Sequence, residues 1–233
     1  MRSTEEGSTS SSPRASSNPS RHARVWLARD TWRERLRSPH DASTLAVLDQ
    51  WFTRNQPAVA RRRDANTDDD DCALAIALPL SQGRSRMAFV VASRAVVRVA
   101  QPLRLDELIA SAPAGWQAAL QDLVVRGERV GTSFHVYGSL AWQHITGKAC
   151  VTPASDVDLL WAARDGSHVE RTLELLVEWE RESNVRADGE VLLRDGGACA
   201  WRELLGRPAR VLVKTDDGVA MRPSPLDAAR DVA

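Results

Sequence analysis

A pair of aspartates separated by one residue most constrains how this chain can fold. Asp156 and Asp158 lie in residues 155–161 (SDVDLLW), which read as a β-strand. Side chains on a strand alternate between its faces, so both carboxylates project to one side while the apolar residues between and after them face a core. Two carboxylates this close repel each other unless a cation lies between them, and hard oxygen ligands suit Mg²⁺. The segment therefore predicts a divalent-metal site for transfer of a phosphate-linked group.

A Gly-Ser turn upstream supplies a second half for such a site. Residues 134–137 read as a short strand, Gly138 permits a tight turn, and Ser139 is expected to cap a helix that ends at Gly147. Exposed backbone N–H groups and the helix dipole at that N-terminus attract phosphate. The sequence thus predicts a phosphate-binding turn and a metal-binding pair within one strand–helix–strand unit.

The order Gly-Ser, helix, Ser-Asp-x-Asp resembles the nucleotidyltransferase superfamily of the polymerase β type. Residues 137–147 (YGSLAWQHITG) and 155–161 are more closely similar to the phosphoribosyl-dephospho-CoA transferases of malonate decarboxylase, also called malonate decarboxylase holo-acyl-carrier-protein synthases. Further stretches resemble the same family: 21–27 (RHARVWL), 78–86 (LPLSQGRSR), 188–193 (DGEVLL), 201–203 (WRE) and 211–214 (VLVK). The resemblance covers nearly everything from residue 21 to residue 227.

Pattern and resemblance together imply an α+β fold, with a small N-terminal α+β domain followed by a polymerase-β-like nucleotidyltransferase domain that has a mixed sheet with helices on one side. The expected organisation is a disordered tail (1–20), an N-terminal α+β domain (21–104), a connecting helical segment (105–125), a nucleotidyltransferase domain (126–224) and a C-terminal tail (225–233). Within it, apolar periodicity predicts helices over 41–52 and 167–182 and a hairpin of strands 72–78 and 86–91.

Composition narrows the class of protein. The chain has 31 basic and 31 acidic residues, and this balance makes nucleic acid a poor candidate partner. Cys72, Cys150 and Cys199 form neither a zinc pattern nor a disulfide framework, which favours a reducing cytosol. No apolar run has the length needed to span a bilayer. We therefore expect a cytoplasmic protein that binds neither membrane nor nucleic acid.

A third carboxylate is required from a neighbouring strand if the superfamily likeness holds. Asp188 and Glu190 are two residues apart and share a face of the strand expected at 185–193. Either could accept the proton of an attacking hydroxyl or bind a second ion, and the resemblance favours Asp188. The alternative for Asp188-Gly189 is a plain turn, a common use of this dipeptide.

Polar residues around these carboxylates are candidates for binding the donor. Gly138, Ser139 and Ser155 are expected to provide hydrogen bonds to phosphate or at the metal site. Lys214, at the end of a predicted strand, could neutralise the departing diphosphate, and a merely solvated lysine is the alternative. Trp142 is expected in the core, with stacking on an adenine as the other possibility.

A basic region upstream is a second candidate. Arg63, Arg84 and Arg86, together with Arg61 and Arg62, could grip phosphates of a long nucleotide-like donor or an acidic carrier protein. Ordinary surface charge is the alternative interpretation.

The resemblance also implies the reaction. The donor would be 2′-(5″-triphosphoribosyl)-3′-dephospho-CoA, and the acceptor a serine of the apo acyl-carrier subunit of malonate decarboxylase, with diphosphate released. Asp156 and Asp158 would hold Mg²⁺ against the donor phosphates, and Asp188 would assist the attacking oxygen. Two alternatives are transfer of AMP to a small molecule or protein, and a non-catalytic carrier-protein binding partner that retains the fold.

Overall fold

Two β-sheets, one in each half of the chain, organise the structure, a computed structural model that describes residues 18–65, 67–83 and 85–226. The mixture of helices with these sheets confirms the predicted α+β class. Most of the tail expected at 1–20 and most of the one expected at 225–233 lie outside the described residues.

The first sheet has five antiparallel strands in the order β4-β3-β2-β1-β5. The strands are β1 (Arg24–Leu27), β2 (Ala58–Ala60), β3 (Asp71–Ala77), β4 (Arg86–Ala92) and β5 (Val96–Ala100). Helix α1 (Ala42–Thr53) begins after Asp41, whose carboxylate accepts a hydrogen bond from the Thr44 backbone N–H at 2.7 Å. Its buried residues Leu48, Trp51 and Phe52 join the core of this half. The predicted helix and the β3–β4 hairpin are confirmed.

The second sheet has seven strands in the order β12-β11-β10-β9-β8-β7-β6. The strands are β6 (Leu103–Arg104), β7 (His135–Tyr137), β8 (Val157–Ala162), β9 (Ala187–Leu192), β10 (Ala198–Ala200), β11 (Arg210–Lys214) and β12 (Val219–Pro223). The helices are α2 (Leu105–Leu108), α3 (Ala114–Val130), α4 (Gly138–Thr146), α5 (Gly166–Ser183) and α6 (Trp201–Leu204). Every pairing is antiparallel except β8 with β9, so the sheet is mixed, as predicted.

The helical segment expected to connect the halves packs in the core of the second one. Leu105 and Leu108 of α2, and Leu120 and Leu123 of α3, are fully buried there. Residues 109–113 separate the two helices, and Pro113 immediately precedes the first residue of α3.

The parallel pairing of β8 and β9 is made possible by α5, which crosses over between them. Asp165 caps this helix by accepting a hydrogen bond from the His168 backbone N–H at 2.7 Å. The buried side of α5 includes Val169, Leu176 and Trp179. Burial of this apolar stripe fixes the crossover, and through it the register of the two strands that carry the aspartates.

The two halves share packing. Trp142 of α4 belongs to the core of the first half, and its ring meets that of Trp51 edge-on with centroids 5.7 Å apart. The sequence expectation of a core Trp142 is therefore confirmed. None of the helices in the described parts of the chain combines the length and apolar character needed to cross a membrane.

Candidate active site

Three polar residues lie side by side across adjacent strands of the second sheet. Tyr137 on β7 pairs with Asp158 on β8, and Asp158 pairs with Asp188 on β9. Directly opposed residues point to the same face of a sheet, so the phenol and the two carboxylates share one face. Asp188 thus stands where a third carboxylate was sought, beside the Asp156–Asp158 pair.

The Gly-Ser turn lies directly against Asp158. Gly138 has a φ of +66°, and a Cβ added there would lie 1.7 Å from Oδ2 of Asp158. Only glycine allows both this left-handed conformation and this close approach. The first residue of α4 is therefore in contact with the carboxylate.

The start of α4 differs from the expectation. Tyr137, not Ser139, is the N-cap residue, because the backbone is still extended at Tyr137 and turns at Gly138. No side chain caps this helix, and the Ser139 backbone forms a hydrogen bond with Asp158. The expected helix end at Gly147 is confirmed, with φ at +65°.

Burial and the neighbouring carboxylates together raise the pKa of Asp158. Burial raises it most, followed by repulsion from Asp188, and Asp156 adds to the effect. Arg86 and the Ser139 hydrogen bond lower it, yet the pKa reaches about 6. Burial and the adjacent carboxylates therefore both disfavour the ionised form of Asp158, and a cation bound beside it would offset this cost.

Asp156 contributes an unsatisfied oxygen. Its Oδ2 lies 3.3 Å from Nη2 of the exposed Arg186, while its buried Oδ1 has no hydrogen-bond partner among the described residues. Those residues contain no group of three or more His, Cys, Asp or Glu side chains arranged as metal ligands. Mg²⁺ commonly uses only one or two carboxylates, with waters and substrate phosphates completing its shell. Asp156 and Asp158 fit a site of that kind.

Glu190, the other candidate for third carboxylate, is already neutralised. Glu190 is only 4% exposed, and its carboxylate binds Arg21 Nη2 at 2.6 Å, Lys214 Nζ at 2.8 Å and His22 Nε2 at 3.2 Å. Burial pushes its pKa upward, but the hydrogen bonds from His22 and Lys214 and the charge of Arg21 outweigh burial and lower the pKa to about 2. Lys214 is thereby placed in a buried ion cluster with Glu190.

Gly189 lies inside β9 and not in a turn. Its φ is +133°, and a Cβ there would lie 1.8 Å from the backbone oxygen of Leu159 on β8. The turn interpretation of Asp188-Gly189 is therefore wrong. Asp188 itself is exposed and accepts a hydrogen bond from the Gly189 backbone N–H at 2.8 Å.

A cleft of about 250 Å³ opens beside Asp158, between α4 and the first sheet. Its basic lining residues are Arg21, Arg24, Arg61, Arg62 and Arg86. Arg86, a predicted substrate-binding residue, therefore lies in the same cleft as Asp158. Arg21 and Arg24 were not among the predicted site residues, and the signal for them was that residues 21–27 resemble the family.

The remaining predicted residues lie elsewhere. Arg63 donates a 2.6 Å hydrogen bond from Nε to Asp217 and lies 3.4 Å from Asp69, so the structure ties it to the loop between β11 and β12 and not to this cleft. Ser155 accepts a hydrogen bond from the Thr152 backbone N–H at 2.9 Å, which holds the turn before β8. Arg84 lies outside the described residues.

Comparison with known proteins gives matches along the chain. The profile of the phosphoribosyl-dephospho-CoA transferase MdcG N-terminal domain matches residues 20–102, and that of the C-terminal domain matches residues 103–225. A phosphoribosyl-dephospho-CoA transferase of Xanthomonas campestris pv. campestris (strain 8004) is 39% identical over 206 residues, covering 87% of this chain and 93% of that protein. One of Bradyrhizobium diazoefficiens is 34% identical over 203 residues, covering 87% of this chain and 89% of that protein. No solved structure matches significantly. The chain is therefore a transferase that belongs to the MdcG family of phosphoribosyl-dephospho-CoA transferases.

Proposed function

We propose that the protein transfers the 2′-(5″-phosphoribosyl)-3′-dephospho-CoA group from its triphosphoribosyl precursor to a serine of the apo acyl-carrier subunit of malonate decarboxylase, releasing diphosphate. The contact between Gly138 and Asp158 carries this proposal, because it joins a helix N-terminus to an acidic cluster. A phosphate bound at the first turn of α4 lies next to the carboxylates. The family of the chain supports the choice of transferred group.

Asp156 and Asp158 are the residues that would hold Mg²⁺. The unpaired Oδ1 of Asp156 and the raised pKa of Asp158 both favour a bound cation. When bound, the ion supplies positive charge at the donor phosphates and lowers the cost of charge building up on the leaving diphosphate. The uncapped first turn of α4 orients the phosphates, and Arg86 in the adjoining cleft is better placed than Lys214 to neutralise the diphosphate.

Asp188 is the proposed general base. In the transfer, the serine oxygen forms a bond to the α-phosphorus, the bond from that phosphorus to the bridging oxygen breaks, and diphosphate departs. The serine proton passes to the Asp188 carboxylate, which is exposed and adjacent to Asp158. Glu190 is a poor base, since three basic side chains hold it ionised and the pKa is about 2.

We also propose a cytoplasmic location. Cys72, Cys150 and Cys199 are buried and are not joined by disulfides within the described residues, which suits a reducing compartment. Burial raises the pKa of Cys72 to about 11 and that of Cys199 to about 12, so these thiols remain protonated at neutral pH.

The proposal is tested by incubating the protein with Mg²⁺, the triphosphoribosyl donor and the apo carrier subunit. Mass spectrometry should show one added phosphoribosyl-dephospho-CoA group on a carrier serine. Asp156→Asn and Asp158→Asn should each abolish the addition while the protein stays folded. A parallel reaction with ATP examines the AMP-transfer alternative: adenylylated carrier, or full activity of either variant, would overturn the proposal.

A further inference from the structure

The cleft beside Asp158 continues along α4. Gly138, Ala141, Trp142 and Ile145 line it, and their spacing of three, four and seven residues places them on one stripe of the helix. The stripe begins at the carboxylates and leads away from them. A ligand whose phosphate lies at Gly138 therefore has an apolar wall along which to extend.

The opposite wall is one face of the first sheet. Arg24, Val59 and Ala75 are paired directly across β1, β2 and β3, so their side chains point to the same side. Ala77 is two residues further along β3 and pairs with Arg86. All five line the cleft. The small side chains of the alanines leave a slot opposite the helix, and Arg24 and Arg86 lie on the same face of the sheet.

Three guanidinium groups at this cleft have unused donors. In the described part of the chain, neither Arg62 nor Arg86 makes a side-chain hydrogen bond or ion pair, and Arg86 acts on Asp158 only through space. Arg61 pairs with Asp64, but its buried Nε has no hydrogen-bond partner there. Free guanidinium donors that converge on one cavity are suited to a ligand with more than one phosphate.

We propose that this cleft binds the dephospho-CoA half of the donor. The adenine lies in the slot between Ala75 and Ala77 on one side and the α4 stripe on the other, and the 5′-diphosphate meets Arg62 and Arg61. The inference rests on the proposed function, which places the reacting triphosphate at Asp158. A cleft of about 250 Å³ is below the roughly 300–1,000 Å³ of sites that enclose drug-sized ligands. It therefore holds the nucleotide and leaves the pantetheine arm in solvent.

Both halves of the molecule line the proposed dephospho-CoA site. The N-terminal half supplies the sheet face and the arginines, while the second half supplies α4 and Asp158. The N-terminal half is thus part of the donor site, and it accounts for selection of a dephospho-CoA ester over a smaller nucleotide.

The test is calorimetric titration with 3′-dephospho-CoA in the absence of Mg²⁺, because this probe lacks the triphosphate and cannot react. Wild type should bind it, and the probe should compete with the donor in the transfer assay. Ala75→Leu fills the slot and should weaken binding about tenfold or more. Ala88→Leu is the matched control, since Ala88 pairs with Ala75 on the same face but is exposed and outside the cleft. Arg62→Gln should also weaken binding.

Specific results would overturn the inference. One is that dephospho-CoA does not compete with the donor, and another is that Ala75→Leu and Ala88→Leu bind dephospho-CoA with equal affinity. A third is that Ala75→Leu weakens the binding of inorganic diphosphate alone, which would mean that the cleft holds the leaving group. Thermal melts establish that each variant is folded. If transfer occurs while dephospho-CoA fails to bind, this inference falls and the proposed function stands. If dephospho-CoA binds but no transfer occurs, the proposed function falls and the dephospho-CoA site stands.

Discussion

Arg21 and Glu190 join the two halves of the molecule through an ion pair whose atoms lie 2.6 Å apart. The same carboxylate binds His22, whose ring lies 4.1 Å from that of Tyr137, the residue before the Gly138 turn. Lys214 approaches the other oxygen of Glu190 at 2.8 Å. Arg21 and His22, which precede the first strand of the first sheet, are therefore anchored to the second sheet through Glu190.

Glu190→Gln should destabilise the protein strongly. Removal of the buried carboxylate leaves Arg21 and His22 without their charge partner, and breaking a buried pair typically costs about 3–5 kcal/mol. Lys214 is partly exposed, so we expect about 2–4 kcal/mol in chemical denaturation. Glu170→Gln removes an exposed pair with Arg207 and should cost at most about 1 kcal/mol. Similar losses in both variants would contradict a central role for the Glu190 cluster.

The Glu190 cluster should also make stability depend on pH. The pKa of Glu190 is lowered from 4.5 to about 2 in the folded state. The unfolded chain therefore binds the proton first as the pH falls. The contribution of ionised Glu190 to the stability of the fold is complete above about pH 4.5 and is lost as the pH falls toward 2. Denaturation series for wild type and Glu190→Gln should converge through this window, whereas a constant difference would argue against it.

Asp158→Asn should abolish transfer yet stabilise the metal-free protein. The pKa of Asp158 is raised from 3.8 to about 6, so the folded state binds this proton more readily and loses stability as the pH rises through that interval. At pH 8 the free energy of unfolding of the variant should exceed that of wild type by about 1–3 kcal/mol, and this difference should be absent below about pH 4. Added Mg²⁺ should raise the melting temperature of wild type but not of the variant. Asp68→Asn, in an exposed loop, should show neither effect.

Gly138→Ala and Gly147→Ala form a matched pair at the two ends of α4. Both glycines have nearly the same left-handed φ, but a Cβ at Gly138 meets Asp158, whereas one at Gly147 meets nothing within 4 Å. Backbone strain should destabilise both by about 1–2 kcal/mol. Only Gly138→Ala should lose activity and Mg²⁺-dependent stabilisation. An active Gly138→Ala enzyme would show that the contact is not needed for transfer.

Asp188→Asn should reduce kcat about 10²- to 10⁴-fold, the usual contribution of a general base. The KM for the donor should change little, because Asp188 acts on the acceptor hydroxyl in the proposed reaction. Asp195→Asn, at the loop after β9, is a control that should keep kcat near wild type. A large rise in donor KM with unchanged kcat would reassign Asp188 to donor binding.

The placement of Asp156 and Asp158 on one face could be predicted because it follows from short-range rules. Asp156 and Asp158 share a face through the two-residue period of a strand, and the strong amphipathic pattern of α5 indicates a crossover between neighbouring strands. The resemblance added that a third carboxylate lies on a neighbouring strand and favoured Asp188 for it. The choice between Asp188 and Glu190 needed the structure, since the partners of Glu190 come from Arg21, His22 and Lys214.

The cleft could not be predicted in the same way. Its walls bring Arg24 and Ala75 against Ala141, and no local pattern links residues so far apart in the chain. Arg63 and Arg86 look alike in sequence, but tertiary contacts give the first an ion pair with Asp217 and leave the second in the cleft. Strands β6, β10 and β12 have two, three and five residues and too little periodicity to be recognised.

Gly189 has a consequence for homologous sequences. Because its missing side chain lets β8 and β9 approach at Leu159, any larger residue there would push the two acid-bearing strands apart. A homologous sequence that keeps Asp158 and Asp188 but carries a bulkier residue between Asp188 and Glu190 should therefore be unable to bring these two aspartates side by side. Inspection of that one position distinguishes active enzymes from inactive homologues.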